Sequence, residues 1–255
     1  MSKLGRLLVL WLCAGAAPSA WAATVEDLDA LVAAYPAAIE RHDGQNIYWR
    51  DGTVMPVGRA DPDKPFSQRL KDASISDQFY LQYPAGKDIV APPLNFDPGR
   101  FRNEAFFRKL YGDCRSGDVA RHLKSVPWFP DGHSLKVTEL NGVAGALGKV
   151  SAEINKLPDA IQKAAYPIAG TLSCRAVADT GRMSMHAYGA AIDLNLAYSD
   201  YWLWHAKPKS KYRNRMPREI VDVFERHGFI WGGRWYHFDT MHFEYRPELL
   251  PRTAR

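Results

Sequence analysis

Three cysteines in 255 residues, none of them in a Cys-x-x-Cys pair, leave no material for a thiolate-built structural zinc site. Long apolar runs are scarce too: the stretch from Leu7 to Ala17 falls short of the ~20 residues that a membrane-spanning helix needs. There is no internal repeat and no low-complexity run. With 46% hydrophobic and 24% charged residues the composition is ordinary for a globular chain, so disorder is not expected. Nor is there a strong excess of one charge, since 33 basic against 28 acidic residues leave a net +5. The length suits one large domain, or a domain with a sizeable extension.

The first residues, Met1-Ser-Lys3-Leu-Gly-Arg6, carry positive charge ahead of the apolar run, and Ala20-Trp-Ala22 offers a small-x-small cleavage site. We read residues 1–22 as a secretory signal peptide and the mature protein as secreted, in the periplasm, with no stable membrane insertion. Attachment of lipid at Cys13 is disfavoured by the bulky Leu10-Trp11-Leu12 before it. Cleavage after Ala22 removes Lys3 and Arg6 and no acidic residue, leaving 31 − 28 = +3. Cys114 and Cys174 remain, in a compartment where disulfides persist; a bridge and two buried thiols are both open.

After the signal, Thr24-Val-Glu-Asp27 has capping-box spacing, and Leu28, Leu31, Val32 and Tyr35 continue at helical intervals until Pro36. Asn46 to Trp49 and Thr53 to Val57, joined through Asp51-Gly52, read as a hairpin whose second strand Pro56 confines to an edge. From Arg59 to Pro98 the chain is polar and proline-rich, and extended loops are expected. Within it Phe79, Tyr80 and Tyr83 form either a core patch or a cleft wall. Phe101 to Tyr111 reads as a helix terminated by Gly112, and Val126-Pro-Trp-Phe-Pro130 breaks the pattern. Leu135 to Glu139 reads as a strand, and Asn141 is a cap for a helix reaching Leu157. Pro217 opens another helix through Ile220, Val221 and Phe224, stopped at Gly228. Residues 23–134 are thus an extension with no obvious site, 135–247 the functional domain, and 248–255 an unstructured tail.

The informative stretch is Ser184-Met-His186-Ala-Tyr-Gly189-Ala-Ala-Ile-Asp193-Leu-Asn195, answered fifty residues later by Asp239-Thr-Met-His242-Phe-Glu244. The first places a histidine and an aspartate seven apart, with Gly189 where the backbone turns or approaches something closely, and ends in strand-like alternation that puts Ala191, Asp193 and Asn195 on one face. The second is again strand-like, with His242 and Glu244 on one face and Asp239 in the preceding turn. A lone histidine is more often a satisfied polar residue. Two matched segments supplying two imidazoles and a carboxylate instead make the three-ligand set of a catalytic zinc, one ion per chain, with the fourth position open.

These residues resemble the zinc D-Ala-D-Ala carboxypeptidase and peptidoglycan endopeptidase family, which includes the vancomycin-resistance dipeptidases and phage L-alanyl-D-glutamate endolysins. Its signature, Ser-x-His-x-x-Gly-x-Ala-x-Asp followed by an acidic residue three before a second His, is met by Ser184, His186, Gly189, Ala191, Asp193, Asp239 and His242. Asp at the acidic position looks like the endolysin branch, where the vancomycin-resistance branch has Glu. The resemblance, over roughly residues 135–247, implies an α+β fold with an antiparallel sheet carrying the zinc site and helices on the other side, as in the hedgehog fold.

It also implies roles. His186, Asp193 and His242 hold the metal. Asp239 is the general base that takes the water's proton and returns it to the leaving amine, with Glu244 the rival. Arg175 polarises the substrate carbonyl, with Arg182 the rival. From their own places in the chain, rather than from the resemblance, Ser184, Glu244, His237 and Trp235 are read as contacting substrate or supporting the ligands, with a plain surface role equally open for His237. The expected partners are peptidoglycan stem peptides, and the expected activity is L-Ala-D-Glu endopeptidase. The alternatives are a D,D- or L,D-carboxypeptidase, which needs Arg175, Arg182 or Arg234 for the terminal carboxylate, and a non-catalytic zinc-containing wall-binding domain, against which Asp239 argues. The run Lys207, Lys209, Lys211, Arg213, Arg215 and Arg218 invites a nucleic-acid reading; in an exported chain, anionic wall polymer or plain solvation serves as well, so no nucleic acid is expected.

Overall fold

The computed structural model describes residues 23–59, 61–177, 180–205 and 211–251. The expected signal segment 1–22, and Lys207 and Lys209 of the basic run, lie outside the described residues. The helices are α1 (Val25–Ala34), α2 (Phe66–Lys71), α3 (Glu104–Tyr111), α4 (Asp118–Arg121), α5 (Val143–Ile154), α6 (Asp159–Gln162) and α7 (Arg218–Arg226). The strands are β1 (Ile39–His42), β2 (Asn46–Trp49), β3 (Val54–Pro56), β4 (Leu123–Trp128), β5 (His133–Thr138), β6 (Ala191–Asp193), β7 (Phe229–Trp231) and β8 (His242–Tyr245). They form three antiparallel sheets in the orders β1-β2-β3, β4-β5 and β6-β8-β7. The fold is α+β, and no described helix is long and apolar enough to cross a membrane.

Local signals account for several elements. Thr24 and Asp27 exchange side-chain and backbone hydrogen bonds in a capping box that starts α1. Asn103 accepts from the Phe106 N–H to start α3, which buries Phe106, Phe107, Leu110 and Tyr111 and stops at Gly112. α7 buries Ile220, Val221, Val223 and Phe224, and the Phe224 ring stacks on Phe243 with centroids 4.0 Å apart. Because side chains alternate along β8, this puts α7 behind the sheet and leaves His242 on the other face. One buried core runs continuously from Leu28 of α1 to Phe243 of β8.

Four expectations are corrected. The Arg59–Pro98 region is not all loop: α2 and a 3₁₀ turn Ser76–Phe79 form where buried Arg69 pairs with fully buried Asp77, which also accepts from the Ser74 N–H at 2.8 Å. The buried charge pair and a small apolar cluster of Phe66, Leu70, Ala73 and Phe101 organise that stretch. Val126 to Trp128 continue β4 rather than breaking it; in a two-stranded sheet both strands are edges, so Pro127 forfeits no ladder bond the sheet needs. Asn141 does not cap α5. It adopts φ 52° and its side-chain amide donates to the Leu110 carbonyl, while Gly142 occupies the cap position and the helix ends at Ile154. Beyond Pro247, a 3₁₀ turn Pro247–Leu249 buries Glu248, which accepts from the Tyr35 hydroxyl at 2.6 Å. Cys114 and Cys174 are bridged, a cross-link over 60 residues that contributes about 4 kcal/mol by restricting the unfolded chain.

Candidate metal centre

Antiparallel pairing of β6 with β8 sets Asp193 directly across from His242. His186 arrives from a 3₁₀ turn, Met185–Tyr188, whose start is capped by the Ser184 hydroxyl accepting from the His186 N–H at 3.3 Å. The turn ends at Gly189 with φ 65°, and a Cβ there would lie 3.0 Å from the Thr138 nitrogen, which donates to the Gly189 carbonyl. Both the left-handed backbone and the close approach require glycine. The turn is thereby pinned between β5 and β6.

The three side chains converge. His186 Nε2 lies 3.1 Å from Asp193 Oδ1 and 3.1 Å from His242 Nδ1, and the last two are 3.0 Å apart. A tetrahedral zinc with bonds of 2.0–2.1 Å spaces its ligand atoms by about 3.3 Å, so this triangle fits a divalent ion that keeps one position free. Ring orientation is set from behind. His186 Nδ1 faces the Thr171 carbonyl at 3.0 Å; a carbonyl only accepts, so Nδ1 carries the proton and Nε2 presents its lone pair. His242 Nε2 lies 2.9 Å from Glu244 Oε2, which fixes the opposite tautomer and leaves Nδ1 for the metal.

Glu244 therefore sits on the far edge of the His242 ring, fully buried, and does not line the cleft. Burial alone would raise its pKa, but Arg102, His242 and Arg246 hold it well below the carboxylate range. Arg102 grips both its oxygens, and Arg246 Nη1 approaches Oε1 at 3.3 Å. Burial also opposes ionisation of Asp193, yet the neighbouring His186 and His242 rings keep its pKa low in the metal-free protein. For His242, burial disfavours the charged ring, but Asp193 and Glu244 outweigh it and push the pKa up to about 10.

Asp239 stands in the turn before β8, its backbone carbonyl accepting from the His242 N–H at 3.2 Å. Its Oδ1 is buried without a hydrogen-bond partner among the described residues. Burial, and then Asp193, push its pKa up to about 6, against the pull of His242, His186 and Arg100. This carboxyl can hold or release a proton near neutrality.

A cleft of about 280 Å³ opens onto these groups. Of the expected residues, Ser184, His186, Asp193, His242, Asp239, Arg175, His237 and Trp235 line it. Arg182 does not: its guanidinium lies on the Lys71 carbonyl and beside Glu104 and Asp72. Arg234 is also engaged elsewhere, buried against Glu225 at 2.7 Å. Three further groups went unread in the sequence. Arg100 and Arg102 reach the cleft from the region taken to have no site, and Tyr201, Trp202 and Trp204 border it. The only cue was the alternation Arg100-Phe101-Arg102, which by itself says nothing about what the arginines face.

Residues 178–245 match the model of the D-alanyl-D-alanine carboxypeptidase family. This segment, about a quarter of the chain, is similar to that family of peptidases. The matched stretch holds the candidate ligands His186, Asp193 and His242 together with Ser184, Asp239 and Glu244, whereas Arg175, Arg100 and Arg102 fall outside it. No curated protein and no solved structure matches the chain.

Proposed function

We propose that the protein is a zinc-dependent hydrolase of peptidoglycan stem peptides, exported to the periplasm, in which His186, Asp193 and His242 bind the metal and Asp239 is the general base. The observation that carries this is the ligand triangle sharing one cleft with a buried carboxyl whose pKa lies near 6. Bound zinc supplies Lewis-acid chemistry, lowering the pKa of water toward ~7. Asp239, desolvated and beside His242, accepts the proton of the attacking water. Glu244 takes no proton from water; it holds the His242 tautomer. Arg175, exposed at the cleft, faces the developing oxyanion, where a fixed cation lowers the barrier. Ser184 shapes the turn that carries His186, and Trp235, its indole N–H donating to the Pro98 carbonyl at 2.7 Å, forms a rigid wall.

We propose removal of a terminal D-Ala as the reaction, because the matched family is of that kind and three arginines border the cleft where a free terminal carboxylate needs a cation. L-Ala-D-Glu cleavage is the second reading, favoured by Asp rather than Glu at position 239; there the leaving residue also carries a carboxylate beside its amine. The Cys114–Cys174 bridge supports an oxidising compartment. Incubating the mature protein with purified sacculi, with and without chelator, and weighing the products decides between them. Free D-Ala supports the first reading and peptides beginning in D-Glu the second; no release in either condition overturns both.

A further inference from the structure

His237 lies on the cleft wall, and Asp97 holds it in a way that a surface histidine does not need. Asp97 Oδ1 accepts the His237 backbone N–H at 3.0 Å, and Oδ2 faces the ring Nδ1 at 2.6 Å. The same Oδ2 accepts from Arg100 Nη1 at 3.0 Å. Asp97 is fully buried; burial opposes its charge, but His237 and Arg100 keep it ionised. The imidazole lies flat on Phe66, with centroids 5.5 Å apart, and meets the edge of Trp202 at 4.7 Å. The ring is thus fixed about both torsions. Its Nδ1–H is given to Asp97, and Nε2 has no hydrogen-bond partner among the described residues. The side chain keeps 18% of its surface open, on the cleft.

The segment that supplies Asp97 is itself tied to the site. The Phe96 carbonyl accepts from Tyr236 N–H at 2.9 Å, the Pro98 carbonyl from the Trp235 indole, and the Gly99 carbonyl from Arg246 Nη1 at 2.7 Å. Gly99 has φ 90°, and a Cβ on it would stand 2.4 Å from Ile230 Cδ1, so the strap lies as close to β7 as a backbone can. Residues 96–100 are far upstream of the matched peptidase segment. They nevertheless complete its cleft.

We infer that His237 is the catalytic acid that protonates the leaving amine, and that Asp97 is the positioning residue that fixes its ring. This rests on the hydrolase reading above. In amide hydrolysis a C–O bond forms from water and the C–N bond breaks, but an amine leaves poorly until its nitrogen gains a proton. Asp239 takes the proton of the water but, unlike the role expected of it from the sequence, does not return that proton to the amine. His237 gives the proton on Nε2 to the amine nitrogen, and the products are the free acid and the amine. Asp239 then loses its proton to solvent and His237 takes one from it, so water plus amide balance acid plus amine. An aspartate on Nδ1 is the arrangement that keeps an imidazole in one tautomer and supports its cation. Asp97 is the charged group in contact with His237, with Arg100 beyond it, and the same cleft holds Asp239, Asp193, Arg102 and Arg175.

The test compares the amide that the full-length mature enzyme cleaves with its ester isostere, a depsipeptide carrying oxygen in place of the scissile nitrogen, whose alkoxide leaves without prior protonation. His237→Ala is expected to lower kcat on the amide on the order of 10²-fold or more, and on the ester by less than about tenfold. Zinc content should be unchanged. His237→Gln, which retains a neutral donor but no transferable proton, should resemble the alanine variant. Asp97→Asn should move both rates in the same sense, by less. Equal losses on amide and ester, an unchanged amide rate, or full activity in His237→Gln would overturn the assignment. A wild-type enzyme that cleaves no stem-peptide amide would overturn the hydrolase reading instead.

Discussion

The metal triangle and the strap at residues 96–102 border one cleft, yet they are held by different physics. The candidate ligands sit on paired strands and a glycine-terminated turn, so their geometry follows from backbone register: Asp193 opposite His242, His186 in the first half of a 3₁₀ turn. The strap has no regular structure. It is fixed by single hydrogen bonds and ion pairs reaching across about 140 residues, such as Arg102 to Glu244 and Asp97 to His237. A centre built on register tolerates neighbours changing and fails when a ligand is lost. A wall built from isolated long-range contacts is modular, and Asp97, which touches none of the candidate ligands, should be removable with the metal still bound.

Mutations break or sharpen this contrast. Largest is loss of a ligand: His242→Ala or Asp193→Asn should abolish zinc binding and with it measurable hydrolysis, read by elemental analysis and product release. Retained zinc in either variant would contradict the triangle. Next, Asp239→Asn should keep its zinc and lose activity by about 10²–10⁴-fold; Arg175→Ala should lose about 10²-fold or more in kcat, also with zinc retained. Glu244→Gln should weaken zinc affinity by roughly 10–100-fold, because the His242 ring then lacks an ionised acceptor. Arg182→Ala, whose guanidinium is spent outside the cleft, should leave kcat/KM within about twofold.

Acidity offers a further separation. A base acts ionised, so kcat/KM of the zinc-loaded enzyme should fall as pH drops through the Asp239 pKa, which the nearby cation sets below the value of about 6 in the metal-free protein. Metal uptake behaves otherwise. In the free protein His242 holds a proton up to about 10, so binding must release it, and zinc affinity should rise with pH across the neutral range. Proton release on zinc addition, followed with an indicator dye, checks the sign; proton uptake would contradict it.

The same contrast explains what could be read from the residues alone. The capping box at Thr24, the α3 stop at Gly112 and the apolar stripe of α7 are local patterns, and the two ligand segments are nearly as local, so all were legible. Asp97, Arg100 and Arg102 were not, because nothing near them in the chain shows that their partners are His237 and Glu244. α2 escaped for a related reason: its apolar pattern, Phe66, Leu70 and Ala73, is short, and its buried Arg69 is held by Asp77 outside the helix. Asn141 shows the converse, a residue with capping chemistry whose side chain is taken by Leu110. Of the three arginines proposed for the substrate carboxylate, only the packing around Arg182 and Arg234 removed two.

The most direct measurement is the zinc content of the purified mature protein, taken alongside its release of fragments from sacculi before chelation, after chelation and after zinc is restored. One zinc per chain, with release lost and recovered in step with it, is the predicted result. Undiminished release from metal-free protein would contradict the account.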